Sequence, residues 1–265
     1  MPKRTADLNV MIRAAEKASR SLLRDFGEVD QLQVSKKGPA DFVSAADKRA
    51  EKIIFEELKD ARPRYSFLME ESGRVDGEDT ESVFIIDPLD GTMNFLNGIP
   101  FWCISIALER AGEVVAAVVY DPCMDEMFVC DRGDGAFVSG RKRLRVSSKA
   151  KMEAAVVVGG EYAQVENDKE SFMVRLEKLK AENIVYRNFG AMALELAYVA
   201  AGRIDAFWQR RYNPWDAAAG MLLVREAGGT VTSLSKKNDN PVYSEAIIAT
   251  NSVLHKKFES FVSVK

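Results

Sequence analysis

The chain predicts a mixed fold in which an α+β half packs against an α/β half. Two patterns carry this expectation. Between residues 103 and 130, three apolar stretches are separated by short turn sequences, the signature of successive antiparallel strands. After about residue 150, helical and extended patterns alternate, the rhythm of an α/β unit. A chain of 265 residues, 47% of them hydrophobic, can bury a sizeable core without disulfides or a structural metal. No repeat or long linker separates the halves. A boundary near 145–152 divides an N-terminal half, 1–148, from a C-terminal half, 149–265, within one compact unit.

Each element has its own local reason. Leu8, Ile12, Ala15, Leu22, Leu23 and Phe26 recur at helical spacing, and Gly27 stops a helix over 7–26. Leu32 and Val34 alternate with polar residues as a short strand. Asp47 is placed to cap a helix over 48–60 with Ile53, Ile54 and Leu58 on its apolar face. Ser66–Met69 is a short strand, 72–82 a polar surface loop, and Val83–Ile86 a buried strand that runs into Asp87. Cys103–Arg110, Glu113–Asp121 and Glu126–Cys130 follow as strands. Ala111-Gly112 turns the first pair, and Arg132-Gly133-Asp134-Gly135 makes a later hairpin. Beyond them the pattern predicts strand 154–158, helix 167–180, strand 184–187, helix 191–201, strand 204–208, helix 215–227, strands 230–232 and 246–250, and helix 251–262.

Composition narrows the function. The net charge is −3, which argues against a dedicated nucleic-acid binder. No apolar run approaches the roughly 18–20 residues of a membrane span, and the polar N-terminus does not read as a signal peptide. Three cysteines, Cys103, Cys123 and Cys130, form no CxxC pair and fit a reducing, cytoplasmic setting. A single histidine, His255, excludes HExxH zinc hydrolases and disfavours a Ser-His-Asp triad. Hydrolysis would then rest on carboxylates, hydroxyls and hard metals.

The most informative segment is Ile85-Ile86-Asp87-Pro88-Leu89-Asp90-Gly91-Thr92. A strand delivers Asp87, and a tight turn at Pro88 brings Asp90 to the same side. Gly91 allows close approach of a ligand to the backbone. Thr92 opens a helical turn whose N–H groups suit a phosphate. Two hard oxygen donors beside an anion site suit Mg²⁺-assisted cleavage of a phosphate ester. The same residues also fit a strand, an Asx turn and a helix cap. The DxxD spacing differs from the DxD of aspartyl-phosphate enzymes, which favours water over an acyl-phosphate nucleophile. Glu70 and Glu71 end a short apolar strand, Asp41 and Asp47 precede the second helix, and Asp216 lies in the first turn of a small-residue helix.

Taken together, Phe67-Leu68-Met69-Glu70-Glu71-Ser72, Asp87-Pro88-Leu89-Asp90-Gly91-Thr92-Met93-Asn94-Phe95 and Trp215-Asp216-Ala217-Ala218-Ala219-Gly220 resemble the inositol monophosphatase family. Pro39-Ala40-Asp41-Phe42-Val43-Ser44-Ala45-Ala46-Asp47 and Glu226-Ala227-Gly228-Gly229 match as well, so the resemblance covers roughly residues 5–250. It is closest to bacterial inositol-1-monophosphatases of the extragenic suppressor type.

The resemblance implies a layered αβαβα sandwich, a homodimer, and Mg²⁺-dependent, Li⁺-sensitive hydrolysis of a phosphomonoester by metal-activated water. Glu70, Asp87 and the Leu89 carbonyl would hold one Mg²⁺, and Asp87, Asp90 and Asp216 a second. A third ion would sit near Glu70. Gly91 and Thr92 N–H groups would bind phosphate, and Asp47 would orient the Thr92 hydroxyl. Gly190, Ala191, Met192 and Gln209 would line the substrate pocket, and Lys36 matches a family lysine near the active-site loop. Some residues depart from the family pattern: Met69, Ala46, Ala191 and, above all, Gln209, where inositol-hydrolysing relatives carry Glu. The alternatives are the same chemistry on a bisphosphonucleotide, fructose 1,6-bisphosphate or histidinol phosphate, or a regulatory protein with a transcription or RNA-processing protein partner.

Overall fold

Helix α1 (Ala6–Phe26) begins at Thr5, whose hydroxyl accepts the Leu8 N–H at 3.1 Å. In the computed structural model, residues 4–28, 34–38, 41–139, 142–161, 169–234 and 240–263 are described, without the side chains of 34–44, 161 and 169–171. A hairpin of β1 (Val34–Gly38) and β2 (Asp41–Ser44) leads into α2 (Ala45–Ala61). Because α2 starts at Ala45, Asp47 lies inside its first turn rather than at its cap. There the helix dipole still favours its charge. Leu32, the side chains of Lys36 and Asp41, and the start predicted for the helix at 167 lie outside the described residues.

Then come β3 (Tyr65–Met69), β4 (Gly73–Val75), β5 (Asp79–Asp90) and the short α3 (Thr92–Leu96). The polar segment predicted as a loop thus contains β4 and the start of β5. Strand β4 is an edge strand with no fully buried residue, so apolar alternation could not announce it. Antiparallel strands β6 (Cys103–Arg110), β7 (Glu113–Asp121), β8 (Glu126–Asp131), β9 (Gly135–Val138) and β10 (Lys142–Arg143) complete one sheet. The remaining chain runs β11 (Val156–Glu161), α4 (Lys169–Ala181), β12 (Val185–Arg187), α5 (Met192–Ala200), β13 (Ala206–Arg210), α6 (Pro214–Glu226), β14 (Gly229–Ser233), β15 (Ala246–Asn251) and α7 (His255–Val262).

Among the described residues, one sheet has eight strands in the order β10-β9-β8-β7-β6-β5-β3-β4, and another has five in the order β12-β11-β13-β15-β14. In the larger sheet only β3 and β5 pair in parallel. Period-two alternation assigns the faces. Phe84 and Ile86 of β5 pack with Met11 and Leu22 of α1 and Ile54 and Leu58 of α2. Val83 and Ile85 point the other way, into a cluster with Leu194 of α5 and Leu223 of α6. Phe207, Ile247 and Ala249 of the smaller sheet close that cluster from the opposite side. Trp208 and Ile248 face outward, against Phe258 and Val262 of α7 and Leu179 of α4. The layers are therefore helix, sheet, helix, sheet, helix. No described helix is long and apolar enough to cross a membrane.

Candidate active site

The site is built at the end of β5. In an ordinary strand, residues three apart point to opposite faces. Here Asp87 pairs with Ser105 and Asp90 with Cys103, so three steps on β5 match two on β6. One extra residue on β5 is a bulge, and it returns Asp90 to the face that Asp87 occupies. Pro88 sits within the bulge, where a missing N–H costs no ladder bond. The strand thus runs through to Asp90, and a bulge rather than a tight turn brings the two carboxylates together. Both point toward the layer of α5 and α6.

Four carboxylates meet there. Burial, then Glu70, Asp90 and Asp216, push the Asp87 carboxyl well above the usual carboxylate range. Asp87 is 2% exposed, and it accepts the Leu89 N–H at 2.9 Å. Asp90 is held by the start of α5, accepting Met192 N–H at 3.2 Å and Ala193 N–H at 2.6 Å. Burial outweighs those amide bonds and raises Asp90 to about 7. Cys103 adds a contact from its sulfur to Asp90 Oδ2 at 3.7 Å. Asp216 stands in the first turn of α6 and reaches back to accept the Asn213 N–H at 2.7 Å. Glu70 follows β3 directly, its N–H donating to Ile86 O at 3.2 Å.

A hydroxyl and an acid stand beside this cluster. Thr92 Oγ1 lies 3.2 Å from Asp47 Oδ1 and 3.1 Å from the Leu89 carbonyl. Gly91 takes φ +93°, and a Cβ there would come within 3.1 Å of both Ala191 Cβ and Phe101 O. Glycine is therefore required twice, for the left-handed backbone and for the close approach.

The substrate-wall candidates come from the second half. Gly190, Ala191 and Met192 lead into α5, whose amides hold Asp90. Gln209 is half-buried and, two residues from Phe207, shares its face toward the central helices, with its amide 3.4 Å from Arg210 O. Arg210 shares the opposite face with Trp208, and Arg211 leaves the strand at φ +56° with its side chain exposed. The side chain of Lys36 is outside the described residues.

Several residues of the site escaped the sequence reading. Buried Glu51 accepts from Glu71 N–H at 2.8 Å and Ser72 Oγ at 2.5 Å, fixing the turn that carries Glu70. Its spacing four residues after Asp47, on the same helix face, was the available signal. Glu195 and Asn94 brace the 189–190 segment. Ser105 donates to Trp215 O at 3.1 Å, tying β6 to the start of α6.

The donor set fits a hard divalent cation. Its groups are carboxylates and a backbone carbonyl, which suit Mg²⁺. Burial and neighbouring Asp90 push the Cys103 thiol up, so it stays protonated and offers no thiolate. His255 is bonded elsewhere, to Thr232 and Thr250. Among the described residues, no three such side chains are already gathered as a coordination shell. Other acids lie near enough to raise Asp87 and Asp90, and Glu70 also shares a side-chain hydrogen bond with Asp87. Asp90 and Asp216 rest on backbone amides, and Asp90 Oδ1, which accepts the Met192 N–H, has a second lone pair to offer.

Known proteins answer to this arrangement. The family model described as "Inositol monophosphatase family" matches residues 4–263. An inositol-1-monophosphatase of Mesorhizobium japonicum is 51% identical, over 96% of this chain and 94% of its own. The Nus factor SuhB of Escherichia coli is 40% identical, over 86% of this chain and 85% of its own. The crystal structure of extragenic suppressor protein suhB from Bartonella henselae superposes with a TM-score of 0.92 at 50% identity, over 98% of this chain and 99% of that one. The layered fold, the bulged acid pair and a match along nearly the whole length agree: this chain belongs to the inositol monophosphatase family, a family of phosphatases.

Proposed function

We propose that this protein is a Mg²⁺-dependent phosphomonoester hydrolase that converts inositol 1-phosphate and water to inositol and phosphate. The observation that carries the reading is the cluster of Glu70, Asp87, Asp90 and Asp216 beside the Thr92–Asp47 hydrogen bond. Four acids crowded at a buried strand end are costly unless cations meet them. Glu70, Asp87 and the Leu89 carbonyl would hold one Mg²⁺, Asp87, Asp90 and Asp216 a second, and a third would lie near Glu70. When bound, Mg²⁺ polarises a water nucleophile and stabilises the leaving alkoxide.

The chain's own residues do the rest. Asp47 accepts from the Thr92 hydroxyl, fixing its lone pairs toward the space where water would stand. Gly91 and Thr92 present backbone N–H groups to the phosphate at the start of α3. Asp90 has a second task, since it can accept from a substrate hydroxyl beside Gly190, Ala191 and Met192. Gln209 can accept there too, without the charge assistance of a carboxylate. Lys36 is assigned to the adjoining active-site loop. Sensitivity to Li⁺, a homodimer in the cytoplasm and cooperation of the two halves, 1–148 and 149–265, complete the reading, with the family membership as their support.

A phosphomonoester panel assayed with and without Mg²⁺ tests it. Inositol 1-phosphate should turn over only with Mg²⁺ and be inhibited by Li⁺. Metal-independent turnover, or preference for a bisphosphonucleotide, fructose 1,6-bisphosphate or histidinol phosphate, would contradict it. A second, regulatory reading through protein contacts draws support from relatives named Nus factor. It predicts a function that survives loss of turnover in Asp87→Asn.

A further inference from the structure

The peptide of Phe189 is gripped at both ends. Its N–H donates to Glu195 Oε1 at 2.7 Å, and the next N–H, of Gly190, donates to the same oxygen at 3.2 Å. Its carbonyl accepts from the Asn94 side-chain amide at 2.6 Å. The second hydrogen of that amide goes to Phe101 O at 2.7 Å. Both donors of Asn94 are thus spent on two main-chain carbonyls from distant parts of the chain. The Phe101 and Phe189 rings stack above them, with centroids 4.8 Å apart.

What this grip holds is informative. Asn94 lies on α3, two residues after Thr92. Glu195 lies on α5 and is 3% exposed. Between them the chain takes φ +79° at Gly190 and then places Met192 and Ala193 N–H on Asp90. The clamp therefore fixes the distance between the Asp90–Thr92 corner and the Gly190–Met192 wall. Burial raises Glu195 to about 8, against the two amide bonds. An acceptor oxygen, with or without charge, is what the amides need.

We propose that Asn94 and Glu195 are positioning residues that set selectivity for the alcohol part of the substrate, by clamping the Phe189 peptide and through it the wall that faces Asp90. This rests on the phosphatase reading for its substrate, but the clamp itself does not. Neither side chain is assigned contact with substrate or metal. Their effect should appear where the alcohol is recognised and be weak for an ester whose alcohol makes no hydrogen bonds.

The test uses the full chain with Asn94→Ala, Glu195→Leu and Glu195→Gln, checked for folding by circular dichroism. Two readouts are taken: amide hydrogen exchange at Met192 and Ala193, and kcat/KM for inositol 1-phosphate relative to 4-nitrophenyl phosphate. In Asn94→Ala and Glu195→Leu, exchange should quicken about tenfold and the ratio fall about tenfold, chiefly through KM, the scale of losing orientation at one wall. Glu195→Gln keeps an acceptor and should restore both to within about twofold. If Asn94→Ala or Glu195→Leu does not fold, Asn94→Ser and Glu195→Ala are read the same way. Unchanged exchange, or equal loss on both esters, overturns the proposal. Failure of the wild-type protein to hydrolyse either ester with Mg²⁺ would instead overturn the phosphatase reading, and amide exchange then decides the clamp alone.

Discussion

Asp205 and Asp87 are both almost fully buried, at 0% and 2% exposure, and their surroundings could hardly differ more. Asp205, between α5 and β13, accepts from Ser147 Oγ at 2.5 Å, Lys149 Nζ at 2.8 Å and Val156 N–H at 2.7 Å. Asn251 supports the arrangement by donating to Ser147 Oγ and the Lys149 carbonyl. Every charge there is answered within the fold. Asp87 faces Glu70, Asp90 and Asp216, all acids. A buried carboxylate whose partners are donors serves stability, whereas one whose neighbours are carboxylates awaits a cation from outside. The contrast separates a structural acid from a functional one by chemistry alone, since burial is the same.

Substitutions can break this contrast, and their expected effects descend in size. Asp87→Asn should cut turnover by about 10⁴-fold or more, as when a group on which the whole machinery depends is lost. Its fold should persist, because one like charge leaves the cluster. Near wild-type kcat at saturating Mg²⁺ would show that Asp87 is not functional in this sense. Thr92→Ala should lower kcat roughly 10²–10³-fold with a smaller change in KM, within the range for misplaced proton-handling groups. Asp47→Asn should cost a similar amount and the double variant little more, while fully multiplicative losses would separate the two residues.

Asp205→Ala acts on the other side of the comparison. It leaves the Val156 N–H and the Ser147 hydroxyl without their buried acceptor and should destabilise by about 2–4 kcal/mol in chemical denaturation. The kcat of the folded fraction should hardly move. A catalytic loss with unchanged stability would reverse the assignment. The smallest effect concerns the pocket wall. Gln209→Glu should improve kcat/KM for inositol 1-phosphate about fivefold, the scale of strengthening one hydrogen bond by about 1 kcal/mol. Arg210 faces away, so Arg210→Ala and Arg211→Ala should stay within about twofold. A larger loss in either arginine variant would bring that loop into substrate recognition.

Much of this architecture was legible in the sequence because the signals were local. The strands at 103–130 declare themselves by apolar runs and Gly-containing turns, and α1 and α2 by periodicity. The acid motifs could be read as a group because hard donors recur at strand ends and helix starts. What stayed hidden depended on register or on distant partners. The bulge at Pro88 shows only when β5 is laid against β6, and so DxxD looked like a turn. Glu195 resembled any acid in a first helical turn, and its role appears only with the Phe189 and Gly190 amides in place. Asp205 carries no motif at all. Its partners at 147, 149 and 156 come together because β11 and β13 pair in parallel.

A cation site at the Asp87 cluster would show directly in how stability varies with pH. Asp87 and Asp90 are raised in the folded state, Asp90 to about 7 against an ordinary value near 4. Between those limits the folded protein holds protons that the unfolded chain has released. Without metal, the cluster's contribution to stability is therefore full below about pH 4 and is lost as pH rises through 7. A cation that binds only the folded form adds stability in the upper part of that range. The decisive measurement is the unfolding midpoint of metal-free wild type and Asp87→Asn from pH 5 to 8, with and without Mg²⁺. The wild-type midpoint should decline toward pH 8 and recover with Mg²⁺, and the Asp87→Asn midpoint should decline less steeply and recover little. A wild-type midpoint indifferent to Mg²⁺ at every pH would contradict a cation site there.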